Sequence, residues 1–346
     1  MLVGHAKAIA RQWVLEEASR LPGFGGAFYH GSTNWLADDA TLPPNSDLDI
    51  MVVLADPDPP LKPGKFIYRD VLLEVSYLPS DQLASPDLVL GRSDLAGSFH
   101  TPGIILDPSG QLTALQQAVA HDYAKRRWVR ARCEHVEGKI LGYLRGVREA
   151  PSPYDRVTAW LFAAGNTTHL PLVAGLQNPT VRKRYLAARD LLADYGHRDF
   201  YGPLLDLLGC AQMSRAQAMR HLDALSAVFD ATTPLLRTPC FFASDLTAAA
   251  RPIAIDGSRE MIARGDHREA IFWIVATYSR CQQVLHRDAP AELQARFTPG
   301  FRRLLADLGI ASCADLQRRG EQVKAFLPAT WAVADAIMAA NPGIKD

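Results

Sequence analysis

The chain has 346 residues, 48% hydrophobic and 21% charged, and its 37 lysines and arginines balance its 37 aspartates and glutamates. That composition excludes an intrinsically disordered chain, which combines low hydrophobicity with a large net charge. A net charge of zero argues against a protein whose main task is to grip nucleic acid, because neutralising phosphates needs a basic footprint.

In chain order, the opening MLVGHAKAIARQWVLEEASRL carries Glu16 and Glu17 and no uninterrupted apolar core, so it reads as a surface helix rather than a secretory signal. Pro22-Gly23 and Gly25-Gly26 break that pattern, and AFYHG follows as a short strand. LDIMVVL, KFIYRD and VLLEVSYL are rich in β-branched and aromatic residues and are separated by turns such as DPDPPLKPGK. GIILD, ending at Asp107-Pro108, adds one more strand. From about residue 111 helical periodicity takes over, with Val129, Cys133, Val136, Ile140, Leu144 and Val147 on one stripe. Another helix is expected to be capped by Asn178, with Pro179 in its first turn, a stripe of Val181, Tyr185, Ala188, Leu192 and Tyr195, and a stop at Gly196. Residues 214–230, 266–286, 290–308 and 321–340 repeat the helical pattern. The expected fold is α+β, with a small sheet in residues 1–110 and an all-helical region over 111–346.

No stretch approaches the roughly 18 apolar residues of a membrane span, so no membrane partner is expected. Cys133, Cys210, Cys240, Cys281 and Cys313 lie far apart without a CxxC pair, as expected of reduced thiols packed in a cytoplasmic core. The ten histidines show no HxH, HxxxH or HExxH spacing for zinc. Walker A, GxGxxG and GxSxG patterns are also missing.

The chemistry concentrates in YHGSTNWLADDATLPPNSDLDIMVVL, residues 29–54. Asp47 and Asp49 are two residues apart at the mouth of a strand and so project to one face. Adjacent carboxylates repel unless a cation lies between them, and Mg²⁺ is a hard ion commonly held by one or two carboxylates plus substrate phosphates. Glu74, in LLEVSYL, adds a third carboxylate on a strand that a short hairpin is expected to place beside the first. Gly31 lets backbone N–H groups approach a phosphate, and the Ser32 hydroxyl adds a donor. Singly, GS is a common turn and DxD a common strand edge; in this order they describe a Mg-nucleotide site.

GS followed by SDLDIMVVL and then LLEVSYL resembles the nucleotidyltransferase signature of the DNA polymerase β superfamily, specifically its small bacterial antibiotic-modifying members. The LEVS strand is similar to the third-carboxylate strand of aminoglycoside adenylyltransferases, and the resemblance covers about the first third of the chain. It implies a nucleotidyltransferase domain with a mixed sheet flanked by helices over 1–110 and a helical substrate-binding domain that closes the cleft over 111–346. It further implies two Mg²⁺ ions on Asp47, Asp49 and Glu74, with ATP or another NTP held near Gly31 and Ser32. The reaction would move a nucleoside monophosphate, AMP first, to a hydroxyl of a small-molecule acceptor such as an aminoglycoside-like antibiotic. Alternatives are a protein or RNA acceptor, as in a toxin–antitoxin system, and a non-catalytic nucleotide-binding module.

One departure is the fourteen residues between Ser32 and Asp47, a long loop with Trp35, Asp38, Asp39, Pro43 and Pro44, whose aspartates could face a cationic acceptor. The proton acceptor for the hydroxyl is Glu74 or Glu137, which borders the apolar stripe where Glu134 points away. KRRWVRAR (125–132) and RKR (182–184) are expected to be solvated helix faces, with triphosphate contact as the other reading. Thr167, Thr168 and His169 read either as a ligand contact or as a helix cap, and His30 as a packed strand residue.

Overall fold

Burial alternates along two strands: Leu48, Ile50 and Val52 in β2 (Leu48–Leu54), and Val71, Leu73 and Val75 in β4 (Val71–Pro79). Period-two burial means that each strand lines a core with one face. In the computed structural model, which describes Met1–Asp346, the fold is α+β. Strands β2 and β4 pair in parallel at the centre of a mixed five-stranded sheet, with Asp49 opposite Glu74. β1 (Phe24–His30) and β5 (Ile104–Leu106) extend one side and β3 (Gly64–Tyr68) the other, in the order β3-β4-β2-β1-β5. β1 starts before AFYHG and runs through Gly25-Gly26, which sequence alone read as a break. The short intervening hairpin leaves β4 beside β2, as expected. It joins β3 to β4 through Arg69 and Asp70, both at positive φ, and β4 reaches β2 by returning parallel to it.

Two compact units divide the chain: Met1–Arg132 with Cys240–Ile253 and Gly343–Asp346, and Cys133–Pro239 with Ala254–Pro342. The expected boundary at 110/111 is therefore corrected. In the first unit, α1 (Val3–Glu16) packs Ala6, Ala10, Trp13 and Val14 on the Leu48, Ile50, Leu73 and Val75 face. Short helices α2 (Pro86–Leu90) and α3 (Ala96–His100), with α4 (Gln111–Asp122), cover the opposite face around Phe28, Val53, Leu78 and Phe99. Leu112, Leu115 and Val119 of α4 are buried in that second core, which is why residues past 110 stay with the sheet. Leu73, fully buried on the central strand β4, is a direct test of the first core: Leu73→Ala is expected to cost about 3 kcal/mol in a urea unfolding titration.

Helix α5 (Arg126–Glu149) begins in the first unit and ends in the second. Its expected stripe is buried at Val129, Cys133, Val136, Ile140 and Val147 and half-buried at Leu144. The second unit continues with α6 (Pro153–Asn166), α7 (His169–Ala174), α8 (Arg184–Asp194), α9 (Tyr201–Leu208) and α10 (Arg215–Thr232). It closes with α11 (Gly257–Ala263), α12 (Ile271–Asp288), α13 (Ala291–Asp307) and α14 (Cys313–Ala340). α12 is the core of this unit: every residue from Ile271 to Ser279 is buried. Its buried Ser279 hydroxyl donates to the Tyr154 carbonyl of α6 at 2.9 Å, tying the two helices together.

Three expectations are corrected here. α8 starts at Arg184, not Pro179, and Val181 is exposed; the buried Arg184 side chain donates to the Val181 carbonyl at 2.8 Å and holds the preceding residues in a turn. Cys133, Cys210 and Cys281 are buried, whereas Cys240 is half-buried and Cys313 is exposed. α14 does contain a stretch long and apolar enough, by length and composition, to cross a membrane, with a mean hydropathy of 1.3. Alanines raise that mean, and the buried residues Leu316, Gly320, Val323, Leu327, Thr330, Ala334 and Ile337 form a single stripe, as on a helix packed along one face.

Candidate active site

Because Leu48 and Ile50 point to the α1 side of the sheet, Asp49 points to the other, together with Glu74, its cross-strand neighbour. Asp47, just before β2, joins them, and one oxygen from each of the three carboxylates lies within 4.8 Å of the others. All three residues are half-buried.

Gly31 ends β1 with φ 67° and ψ −160°, a region open essentially only to glycine. A Cβ at this position would run into the Asp49 carboxylate, so the glycine makes room for a site residue. Ser32 follows, exposed, at the start of a single 3₁₀ turn (Ser32–Trp35), with Thr33 and Asn34 buried behind it. His30 is the antiparallel partner of Asp49 and so lies on the same face; its Nδ1 shares a hydrogen bond with the Ser98 hydroxyl at 2.6 Å.

Two lysines and a fourth carboxylate complete the cluster. Lys65 Nζ lies 2.9 Å from Asp47 Oδ2, contacts Glu74 Oε2, and reaches Asp245 Oδ1 at 3.1 Å. Lys62 Nζ is 2.6 Å from Glu74 Oε1. Burial alone would raise the Glu74 carboxyl, but the two ammonium groups outweigh it and hold the group at about 2. Burial raises Asp47, with Glu74 adding to the rise and Lys65 opposing it. Asp49 is pushed well above the usual carboxylate range by burial and by the charges of Asp47 and Glu74. Lys65 is held protonated because Asp47, Asp245 and Glu74 outweigh its own burial.

The donor set fits a hard divalent cation: three carboxylates, no sulfur, no imidazole ligand. With Mg–O bonds of about 2.1 Å, ligand oxygens sit at most about 4.2 Å apart, so the observed spread closes with small side-chain rotations. The Lys65 ammonium already stands among two of the three carboxylates as a cation.

Other sequence candidates take structural places. Asp38 pairs with Lys7 at 2.9 Å, and its carbonyl accepts from Gly4 N–H, so the long loop is fastened to the start of α1; Asp39 is exposed. In 125–132, Lys125 and Arg127 pair with Asp122 and Arg126 with Asp346. Arg132 and Arg184, expected on solvated faces, are both buried: Arg132 donates to the Leu90 and Tyr123 carbonyls, and Arg184 lies over the Phe272 ring at 4.0 Å. Glu137 is half-buried on α5 in the second unit, and Glu134 is exposed. The Thr167 and Thr168 hydroxyls donate back to Ala164 and Gly165 at the end of α6, so they close that helix rather than cap α7.

His169 shares a hydrogen bond with the Thr180 carbonyl at 3.0 Å through Nε2, which must therefore be the donor. Burial and the Arg184 guanidinium hold this imidazole well below its ordinary 6.5. A histidine kept neutral in the fold but free to protonate when unfolded removes stability as pH falls through 6.5 toward the folded value. His169→Gln is therefore expected to lose less stability than wild type between about pH 7 and pH 5, read from urea midpoints.

Lys62, Lys65 and Asp245 were not singled out from sequence. For Lys65 a signal existed: counting outward from the Arg69-Asp70 turn puts it opposite Glu74. For Asp245 there was none, because its segment joins the first unit from far along the chain. No protein-family model matches the chain, and no curated protein matches it in sequence.

Proposed function

We propose that the first unit is a nucleotidyltransferase domain and that the chain transfers a nucleoside monophosphate, AMP from ATP first, to a hydroxyl of a small molecule, with an aminoglycoside-like antibiotic as the leading acceptor. The observation that carries this reading is the convergence of Asp47, Asp49 and Glu74 on one sheet face next to the Gly31-Ser32 turn. In it, those three residues hold two Mg²⁺ ions, and the exposed Ser32 hydroxyl donates to phosphate oxygens. Bound Mg²⁺ supplies neutralisation of charge at the attacked α-phosphate and on the leaving pyrophosphate. The acceptor oxygen forms a bond to the α-phosphorus, the bond to the β-phosphate oxygen breaks, pyrophosphate leaves, and the hydroxyl proton passes to a base. Glu74, held at about 2 by its lysines, is a weak base, so its part here is as a cation ligand.

The test is incubation with Mg²⁺, an aminoglycoside panel and ATP radiolabelled at either the α- or the γ-phosphate. The reading expects small-molecule product labelled from the α position only. Label from the γ position would mean phosphoryl transfer, and α-label on protein or RNA in a lysate would move the acceptor to a macromolecule. One observation favours a second reading, a nucleotide-binding module without turnover: Lys65 already pairs with two of the three carboxylates. ATP binding with no pyrophosphate release toward any acceptor would support it.

A further inference from the structure

Lys65 is the most enclosed charged group at the cluster, with its side chain 6% exposed. Its ammonium has three protons and three carboxylate partners: Asp47 at 2.9 Å, Glu74 in contact, and Asp245 at 3.1 Å. Two of those partners are the residues that the proposed function assigns to a divalent cation, and the third is not. An ammonium and a divalent ion cannot share the same carboxylate oxygens without like-charge repulsion, and a buried lysine cannot be left without a partner.

We propose that Lys65 is an internal counter-ion that an incoming divalent cation displaces from Asp47 and Glu74, and that Asp245 is the positioning residue that keeps Lys65 when it is displaced. This inference rests on the nucleotidyltransferase reading of the site. Asp245 is placed for the role by its own segment. Gly64, at φ +69°, leaves a notch at the head of β3 that Ser244 fills, since a Cβ there would run into the Ser244 side chain. Lys62 Nζ lies 4.6 Å from the centroid of the Phe241 ring, a cation–π contact that ties the same segment to the other lysine of the cluster. Asp245 is thus held beside Lys65, with its side chain 11% exposed. Cation entry then becomes an exchange of one positive charge for another, with Asp245 setting how readily Lys65 gives way.

The experiment is titration of Mn²⁺ alone, followed by electron paramagnetic resonance of the free ion, into wild type, Lys65→Met, Asp245→Asn and the double variant. Lys65→Met is expected to bind Mn²⁺ about tenfold more tightly, and Asp245→Asn about tenfold more weakly. The deciding expectation is that Asp245→Asn has no effect in the Lys65→Met background, because no lysine remains to be received. Equal weakening in both backgrounds would make Asp245 a plain negative charge or a ligand and overturn the inference. Unchanged or weaker Mn²⁺ binding by Lys65→Met would overturn it too, with Lys65→Gln used where Lys65→Met does not fold. Failure of all four proteins to bind Mn²⁺ would instead overturn the metal site itself and the proposed function with it.

Discussion

A methyl group at position 31 is expected to lower stability by about 3 kcal/mol and to abolish divalent-cation binding. The backbone of Gly31, at φ 67° and ψ −160°, lies where a residue with a Cβ is strained by roughly 1–3 kcal/mol before any clash is counted. The added carbon would also meet the carboxylate of Asp49, so either that side chain swings away or the end of β1 moves. The first response takes the Asp49 carboxylate away from that of Glu74, and the second moves the Gly31-Ser32 turn away from the cluster. Urea unfolding and Mn²⁺ titration of Gly31→Ala read the two effects separately. A variant with wild-type stability and wild-type Mn²⁺ binding would contradict the close approach.

Asp49→Asn is expected to separate function from stability in the opposite sense. Burial, then the charges of Asp47 and Glu74, raise the Asp49 carboxyl well above its ordinary 3.8. A carboxyl whose folded value is raised favours the protonated fold, so its destabilising contribution grows as pH rises above the unfolded value and is complete above the folded one. Replacing it with a neutral isostere should therefore stabilise the metal-free protein at neutral pH, on the order of 1 kcal/mol, with the gain fading below about pH 3.8. On the proposed function, nucleotidyl transfer should fall by at least about 100-fold, because one of the three proposed cation ligands loses its charge. Thermal unfolding at pH 7 and pH 3, beside a transfer assay, checks both halves. A strongly destabilised Asp49→Asn at pH 7 would show that the carboxylate is held by attraction and would contradict this electrostatic account.

The three carboxylates were legible because strand geometry is local: a period of two places Asp47 and Asp49 on one face whatever the rest of the chain does. That Glu74 stands directly beside Asp49 depended on pairing: the short hairpin was expected to bring its strand alongside and does, but that β4 follows β3 and runs parallel to β2 is not written in the local pattern. Lys65 was within reach of the same local reasoning, through the two-residue Arg69-Asp70 turn. Asp245 was not, because nothing between β4 and residue 240 says that this stretch returns to the sheet unit. The misplaced boundary has a related cause. An amphipathic helix such as α4 shows the same stripe whether it packs on helices or on a sheet, and only the burial of Leu112, Leu115 and Val119 beside Phe28 assigns it. The start of α8 was misread because the buried Arg184 overrides the cap signal of Asn178-Pro179. The apolar character of α14 was underestimated because it lies in alanines rather than in large side chains.

The central claim is that Asp47, Asp49 and Glu74 bind a nucleotide through a divalent cation. The most direct measurement is calorimetric titration of ATP, with and without Mg²⁺, into wild type and into the Asp47→Asn/Asp49→Asn variant. The account predicts binding by the wild type that requires Mg²⁺ and is lost in the double variant. ATP binding that ignores both Mg²⁺ and the two aspartates, or no binding of any nucleotide in the presence of Mg²⁺ or Mn²⁺, would contradict it.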